Sequence, residues 1–251
     1  MLSMNFESLN NYFDKIFVIT LKCSTDRQGN ISKVLDGLNY ELFYGADKND
    51  LSIEELKDKN IYNEGLAVKH HRYNKPMNAG QIGCALSHTM IYKRIINDGY
   101  NKVLILEDDV QPIHESLQFF IDITEELPDD WELLYFDYFK NEKPKPLKKL
   151  WYHLQRMAGG LKWDHTIINN LYPKNLGQHI SCAGFHDYTD AYGITLSGAK
   201  KLLHLQTPVS YVADNLLAIA SASKKLNAFI THPKLFNQLS QGESTTFDSQ
   251  L

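Results

Sequence analysis

The sequence predicts an α/β fold, a mainly parallel sheet with helices on both faces. Three observations lead there. Short β-branched apolar runs alternate with stretches of helical periodicity along the 251 residues. The apolar runs are continuous, as in strands covered on both faces. The helical stretches carry start and stop residues at their ends.

Ile16 to Leu21 (IFVITL) reads as the first buried strand. Ser24 is placed as a cap, and Ile31, Val34, Leu35 and Leu38 form a helical stripe behind it. Tyr40 to Tyr44 is a second strand. Ser52 with Glu55 forms a capping-box pattern opening a short helix, and Asn78 with Gln81 forms another. Ile82, Leu86 and Met90, joined by Ile91 and Ile95, give the next helix its apolar face, and Gly99 ends it. Lys102 to Leu106 (KVLIL) is the clearest strand and runs directly into Glu107-Asp108-Asp109. A helix is expected over Leu117 to Leu127, strands over Trp131 to Phe136 and Ala191 to Leu196, a helix over Gly198 to Leu205 capped by Ser197, and another over Tyr211 to Ser221. Between 138 and 180 periodicity fades among Pro144, Pro146, Gly159, Gly160 and Pro173, so an irregular insert is expected. The organisation read from this is one domain over 1–237, with the insert at 138–180, followed by a polar tail over 238–251.

Length allows one α/β domain with a sizeable core. A net charge of −4 argues against nucleic acid as a partner. The charge is uneven: Lys140 to Lys162 holds seven Lys/Arg and only Glu142 as an acid, leaving 19 basic and 29 acidic residues elsewhere. With Trp151, Tyr152 and Trp163, segment 140–162 reads as a peripheral contact with an anionic membrane; a solvated loop explains the charge equally well. Cys23, Cys84 and Cys182 fit neither a disulfide framework nor a zinc site. No signal peptide or spanning segment is read, so the expected location is cytoplasmic, peripheral on the inner membrane.

The acidic cluster is the main chemical signal. Three successive carboxylates repel one another, and a divalent cation, magnesium or manganese, relieves that. At a strand end, residues two apart point the same way, so Glu107 and Asp109 share one ion while Asp108 faces elsewhere, toward a ribose or sugar hydroxyl. A solvated turn is the plain alternative. Ser87 and His88, in a stretch of small residues (GQIGCALSH), offer hydrogen bonds to a phosphate or sugar; a tightly packed core helix explains them as well. Arg27, in the turn after the first strand, suits a phosphate or a carboxylate such as Asp47. Asp187, Asp190 and Asp214 are the later carboxylates. Asp214 lies between apolar neighbours, and desolvation there raises a carboxylate toward the range of a general base; a helix cap is its structural alternative.

These pieces, in this order, resemble glycosyltransferase family 25, the group of bacterial lipooligosaccharide galactosyltransferases related to collagen galactosyltransferases. The matching segments run roughly from Phe17 to Gln238: FVITLKCSTDR, FYGADKND, GQIGCALSHTMIYKRI, KVLILEDDV, AYGITLSGAKKLL and YVADNLL. The resemblance implies a GT-A-like fold, a UDP-sugar donor, a divalent metal, inversion at the anomeric carbon, and a hexose such as galactose passed to a glycan or glycolipid such as lipooligosaccharide. It places Glu107 and Asp109 on the metal and diphosphate, Arg27, Asp47, Ser87, His88 and Asp108 on the donor, and Asp214 on the acceptor side as catalytic base. Gln28 and Lys48 depart from the usual pattern on the donor side. Two rival readings are a metal-dependent phosphohydrolase and a non-catalytic module binding nucleotide-sugar or membrane.

Overall fold

The computed structural model describes residues 6–71 and 74–239. Its strands are β1 (Lys15–Thr20), β2 (Tyr40–Tyr44), β3 (Lys102–Glu107), β4 (Val110–Pro112), β5 (Leu133–Tyr135), β6 (Lys174–Asn175), β7 (Ile180–Cys182), β8 (Ala191–Thr195), β9 (Ala228–Thr231) and β10 (Phe236–Gln238). Eight form one sheet in the order β2-β1-β3-β8-β5-β9-β7-β6, and β10 pairs with β4 in a separate ladder. β1 is parallel to β2 and β3, and β5 to β9. β8 runs against both β3 and β5, and β7 against β9 and β6. Six of the eight strands therefore point the same way, which is the mainly parallel α/β sheet expected, with two reversed strands inside it.

Alternation along β3 shows why the apolar runs are continuous. Leu104 and Leu106 enter the core on one face, while Val103 and Ile105 enter the core on the other. The first face is covered by helices Glu7–Tyr12, Thr25–Val34 and Phe120–Glu126 through Leu9, Ile31 and Ile123. The second is covered by Ala79–Asp98, Leu196–Leu205 and Ala213–Ala222 through Ile91, Leu202 and Leu217. Each of these fully buried aliphatic side chains contributes roughly 1.5–3 kcal/mol.

Asn78 and Gln81 form a reciprocal capping box, and Gly99 closes the same helix in the left-handed conformation at φ 74°. Other boundaries differ from the sequence reading. The stretch Leu117 to Leu127 is divided between two short helices, His114–Leu117 and Phe120–Glu126. The cap of Leu196–Leu205 is Thr195, whose Oγ1 accepts from the Gly198 N–H at 3.2 Å. Ser197 is already inside that helix and donates to Glu132 at 2.6 Å.

The segment 138–180 is more regular than its prolines suggest. Pro146 begins the helix Pro146–Met157, where a missing N–H leaves no bond unmade. With the short helix His165–Asn169 it forms a small core in which Tyr152, Ile168 and Leu171 pack against Ala218 and Ala222. Gln238, placed by sequence in the polar tail, pairs with Val110 in the β10–β4 ladder. Positions 240–251 of that tail lie outside the described residues. Among the described residues no helix is long and apolar enough to cross a membrane.

Candidate functional site

Glu107 is the last residue of β3, at its carboxyl end, the edge where open α/β sheets bind ligands. Its backbone N–H donates to the Asp190 carbonyl at 2.8 Å, continuing the β3–β8 ladder by one pair. Because β8 is antiparallel to β3, the residue preceding β8 lies at this same edge. Glu107, Asp109 and Asp190 thereby bring one carboxylate oxygen each within 4.8 Å of one another. Asp109 Oδ1 and Asp190 Oδ2 are buried and have no hydrogen-bond partner among the described residues.

Buried acceptors without donors are costly, and neighbouring carboxylates add repulsion. Burial first, then the charge of Glu107, pushes the Asp109 carboxyl up to about 6. The same two causes raise Asp190 well above its ordinary value. Burial also works to raise Glu107, but hydrogen bonds from His88 and Thr189 and the Arg27 charge outweigh it and hold it below its ordinary value. One carboxylate held ionised thus sits beside two that keep their protons to higher pH than usual, and a cation bound there would displace those protons. Hard oxygen donors of this kind fit magnesium or manganese. The two orphaned oxygens and the all-oxygen donor set therefore suit such an ion.

Asp108 points away from this cluster. Its oxygens accept from Thr20 Oγ1 at 2.7 Å and from Arg27 Nη1 at 2.8 Å, so both are engaged inside the protein. Arg27 also lies 3.8 Å from Asp109, while its side chain remains 55 % exposed. The guanidinium therefore balances the acids and still faces outward.

His88 is 2 % exposed. Its Nδ1 meets the Tyr192 hydroxyl at 2.7 Å and its Nε2 meets Glu107 at 3.3 Å. It stands behind Glu107 and orients it. Ser87 is buried too: its hydroxyl donates to the Gly83 carbonyl at 2.8 Å and accepts from the Ala46 N–H at 2.9 Å. This ties the long helix to the loop carrying Asp47. Gly83 is needed there, since a Cβ would come 2.8 Å from the Ala46 carbonyl. Asp47 caps the turn Lys48–Asp50 by accepting from the Asn49 N–H at 2.9 Å. Neither Ser87 nor Asp47 is gathered into the carboxylate cluster.

Asp214 lies in the first turn of Ala213–Ala222 and is half-buried. Burial, then the charge of Asp187, pushes it up to about 6, and Glu107 adds to the shift. Asp187 is ion-paired with Lys140. Beyond Asp187 opens a cavity of about 380 Å³ walled by Tyr152, Trp163, Tyr211 and Asn215. His70 stacks on Tyr211 with ring centres 4.0 Å apart.

Asp190, Thr189 and Tyr192 are the site residues that sequence reasoning did not place. Asp190 stands among the later carboxylates, but linking it to Glu107 requires knowing that AYGIT runs against KVLILE.

Three carboxylates converge at the carboxyl end of a mainly parallel sheet, with an outward arginine beside them: an α/β protein whose sheet edge carries an oxygen-lined cluster suited to a divalent cation. The particular family is shown by comparison: the model of glycosyltransferase family 25 (LPS biosynthesis protein) matches residues 13–217, and the chain belongs to that family. It is 32 % identical over 197 residues to procollagen galactosyltransferase 2 of Homo sapiens, covering 76 % of this chain and 27 % of that protein. It is 30 % identical over 196 residues to a glycosyltransferase 25 family member of Anopheles gambiae, covering 76 % and 28 %. The chain thus spans under a third of the length of these relatives. The mouse xyloside xylosyltransferase 1 structure overlaps 84 % of this chain and 65 % of its own, at 11 % identity and a TM-score of 0.37.

Proposed function

We propose that this chain is an inverting glycosyltransferase that moves a hexose, galactose or a close relative, from a UDP-sugar to a glycan acceptor such as a lipooligosaccharide. The observation that carries the proposal is the convergence of Glu107, Asp109 and Asp190 with two buried oxygens left unpartnered, in a chain of this family. Manganese or magnesium held by these three residues would supply positive charge against the leaving diphosphate. Arg27, anchored by Asp108, offers its exposed face to the same diphosphate. Asp214, raised to about 6, is ionised at neutral pH and basic enough to take the proton of the acceptor hydroxyl as that oxygen attacks the anomeric carbon. The bond from that carbon to the diphosphate breaks in the same displacement, and UDP leaves. The aromatic-walled cavity beside Asp187 suits the acceptor, whose sugar faces would stack on Trp163 and Tyr211.

The test is calorimetric titration of UDP into the protein with manganese and with EDTA, for wild type and Asp109→Asn. Binding that needs the metal and disappears in Asp109→Asn supports the reading, and transfer from UDP-hexoses to glycans then identifies the donor. Absence of binding in both conditions refutes the UDP-dependent mechanism. Release of free hexose or phosphate at full rate without an acceptor would instead mark a hydrolase.

A further inference from the structure

The helix Pro146–Met157 is arranged inside out. Leu147, Leu150, Trp151, Leu154 and Met157 recur at helical spacing and occupy one stripe, about 120° wide. All five are exposed, from 50 % at Leu154 to 83 % at Leu147. The opposite face meets the protein: Tyr152 is buried there, and the Lys149 ammonium reaches the Asn169 carbonyl at 3.2 Å. A surface helix ordinarily buries its apolar stripe and shows its polar face. Here the protein holds the polar face and presents the apolar one.

The charge around the stripe selects its occupant. Lys143 and Lys145 stand exposed just before the helix, and Lys140 to Lys162 carries a net +6 on a chain that is otherwise −10. An apolar strip with Lys143 and Lys145 exposed at its start, in a segment of net positive charge, matches an anionic lipid surface, where the side chains enter the acyl boundary and these lysines meet headgroups. A second copy placed stripe to stripe would bring two such basic segments together. The inner face of the same helix lines the cavity through Lys148 and Tyr152.

We propose that Pro146–Met157 is an interfacial helix that seats the protein on an anionic bilayer, with the cavity opening beside the lipid surface. If the transferase reading holds, the acceptor is then one displayed at that surface. The docking itself does not depend on that reading, because it is measured without substrate.

The experiment is cosedimentation of the full chain with vesicles of phosphatidylcholine alone and of phosphatidylcholine mixed with phosphatidylglycerol. Wild type is expected to pellet with the anionic vesicles and weakly with the neutral ones. Leu150→Glu with Leu154→Glu should weaken the anionic partitioning by about a hundredfold or more. These positions are exposed, so an unchanged thermal melt confirms the fold. Absence of pelleting with anionic vesicles overturns the proposal, as does retained pelleting in the double variant. Self-association of wild type that the double variant abolishes, without vesicle binding, would assign the stripe to a second copy instead.

Discussion

Replacing Asp109 by Asn should stabilise the metal-free protein while removing its metal response. The carboxyl moves from an ordinary 3.8 to about 6 in the fold. A carboxyl raised on folding favours the folded state only while it holds its proton. Below pH 3.8 both states are protonated and the residue contributes nothing. Between 3.8 and 6 the unfolded state ionises first, and stability falls as pH rises. Above 6 the full cost is present, about 3 kcal/mol at 1.36 kcal/mol per unit. The Asp109 side chain is 18 % exposed, so solvent screening reduces this only modestly. In EDTA at pH 8, Asp109→Asn therefore unfolds at a temperature higher by up to roughly 6–12 °C, taking 2–4 °C per kcal/mol for a chain of this size. At pH 4 the two proteins should melt together. Adding manganese should raise the wild-type melting temperature and leave the variant unmoved. A variant less stable than wild type in EDTA at pH 8 would mean instead that the carboxylate is satisfied without a cation.

Asp214→Asn is expected to lower kcat by about 10²–10⁴-fold with little change in KM for the donor, and to remove the fall in rate as pH drops through about 6; steady-state pH profiles check it. Tyr192→Phe takes a hydroxyl from His88, 2.7 Å away, and from Tyr92, 3.0 Å away. It should raise the manganese concentration for half-maximal activity by about 10–100-fold, with saturating metal restoring much of the rate. Glu132→Gln weakens a buried carboxylate that accepts from Lys201 at 2.7 Å and Ser197 at 2.6 Å. Burial raises Glu132, but those partners outweigh it and hold it below its ordinary value. Its stabilisation is therefore present above the unfolded value and lost as pH falls through the folded one. Urea unfolding should show a loss of about 1–3 kcal/mol at pH 7, after allowance for the half-exposed Lys201, and a smaller difference in acid.

Local physics made much of the sheet readable. β1 and β3 are continuous apolar runs because both faces are covered, and each ends where polar residues begin. The capping box at Asn78 and the glycine at 99 are chemical requirements of a helix end. Short elements were mostly not readable: β4, β7 and β10 have three residues each, too few for periodicity, whereas β5 lies inside the longer, largely apolar run Trp131 to Phe136 and is legible from it. The helix at 146–157 was not readable because Pro144 before it and Pro146 at its first position resemble loop residues. Its apolar spacing is regular, but spacing does not tell which way a stripe faces. Asp190 was hidden for a topological reason. An acid at the start of a strand belongs to the far edge if that strand is parallel and to the near edge if it is antiparallel, and only the β3–β8 pairing decides between them.

The acidic triplet shows how one short motif divides its work. Glu107 remains inside β3 and is held from behind by His88 and Thr189, so its orientation is set before any ligand arrives. Asp108 turns to the first strand and the following helix through Thr20 and Arg27, and so fixes the turn and the outward arginine together. Of the three, Asp109 keeps an oxygen with no donor among the described residues, beside an Asp190 oxygen in the same state. Losing the carboxylate at 108 removes structural bonds and frees Arg27, whereas losing it at 109 removes repulsion and an ion ligand. Opposite signs of stability change at adjacent acids are what separates a cation site from a merely acidic turn, in which both substitutions would act alike.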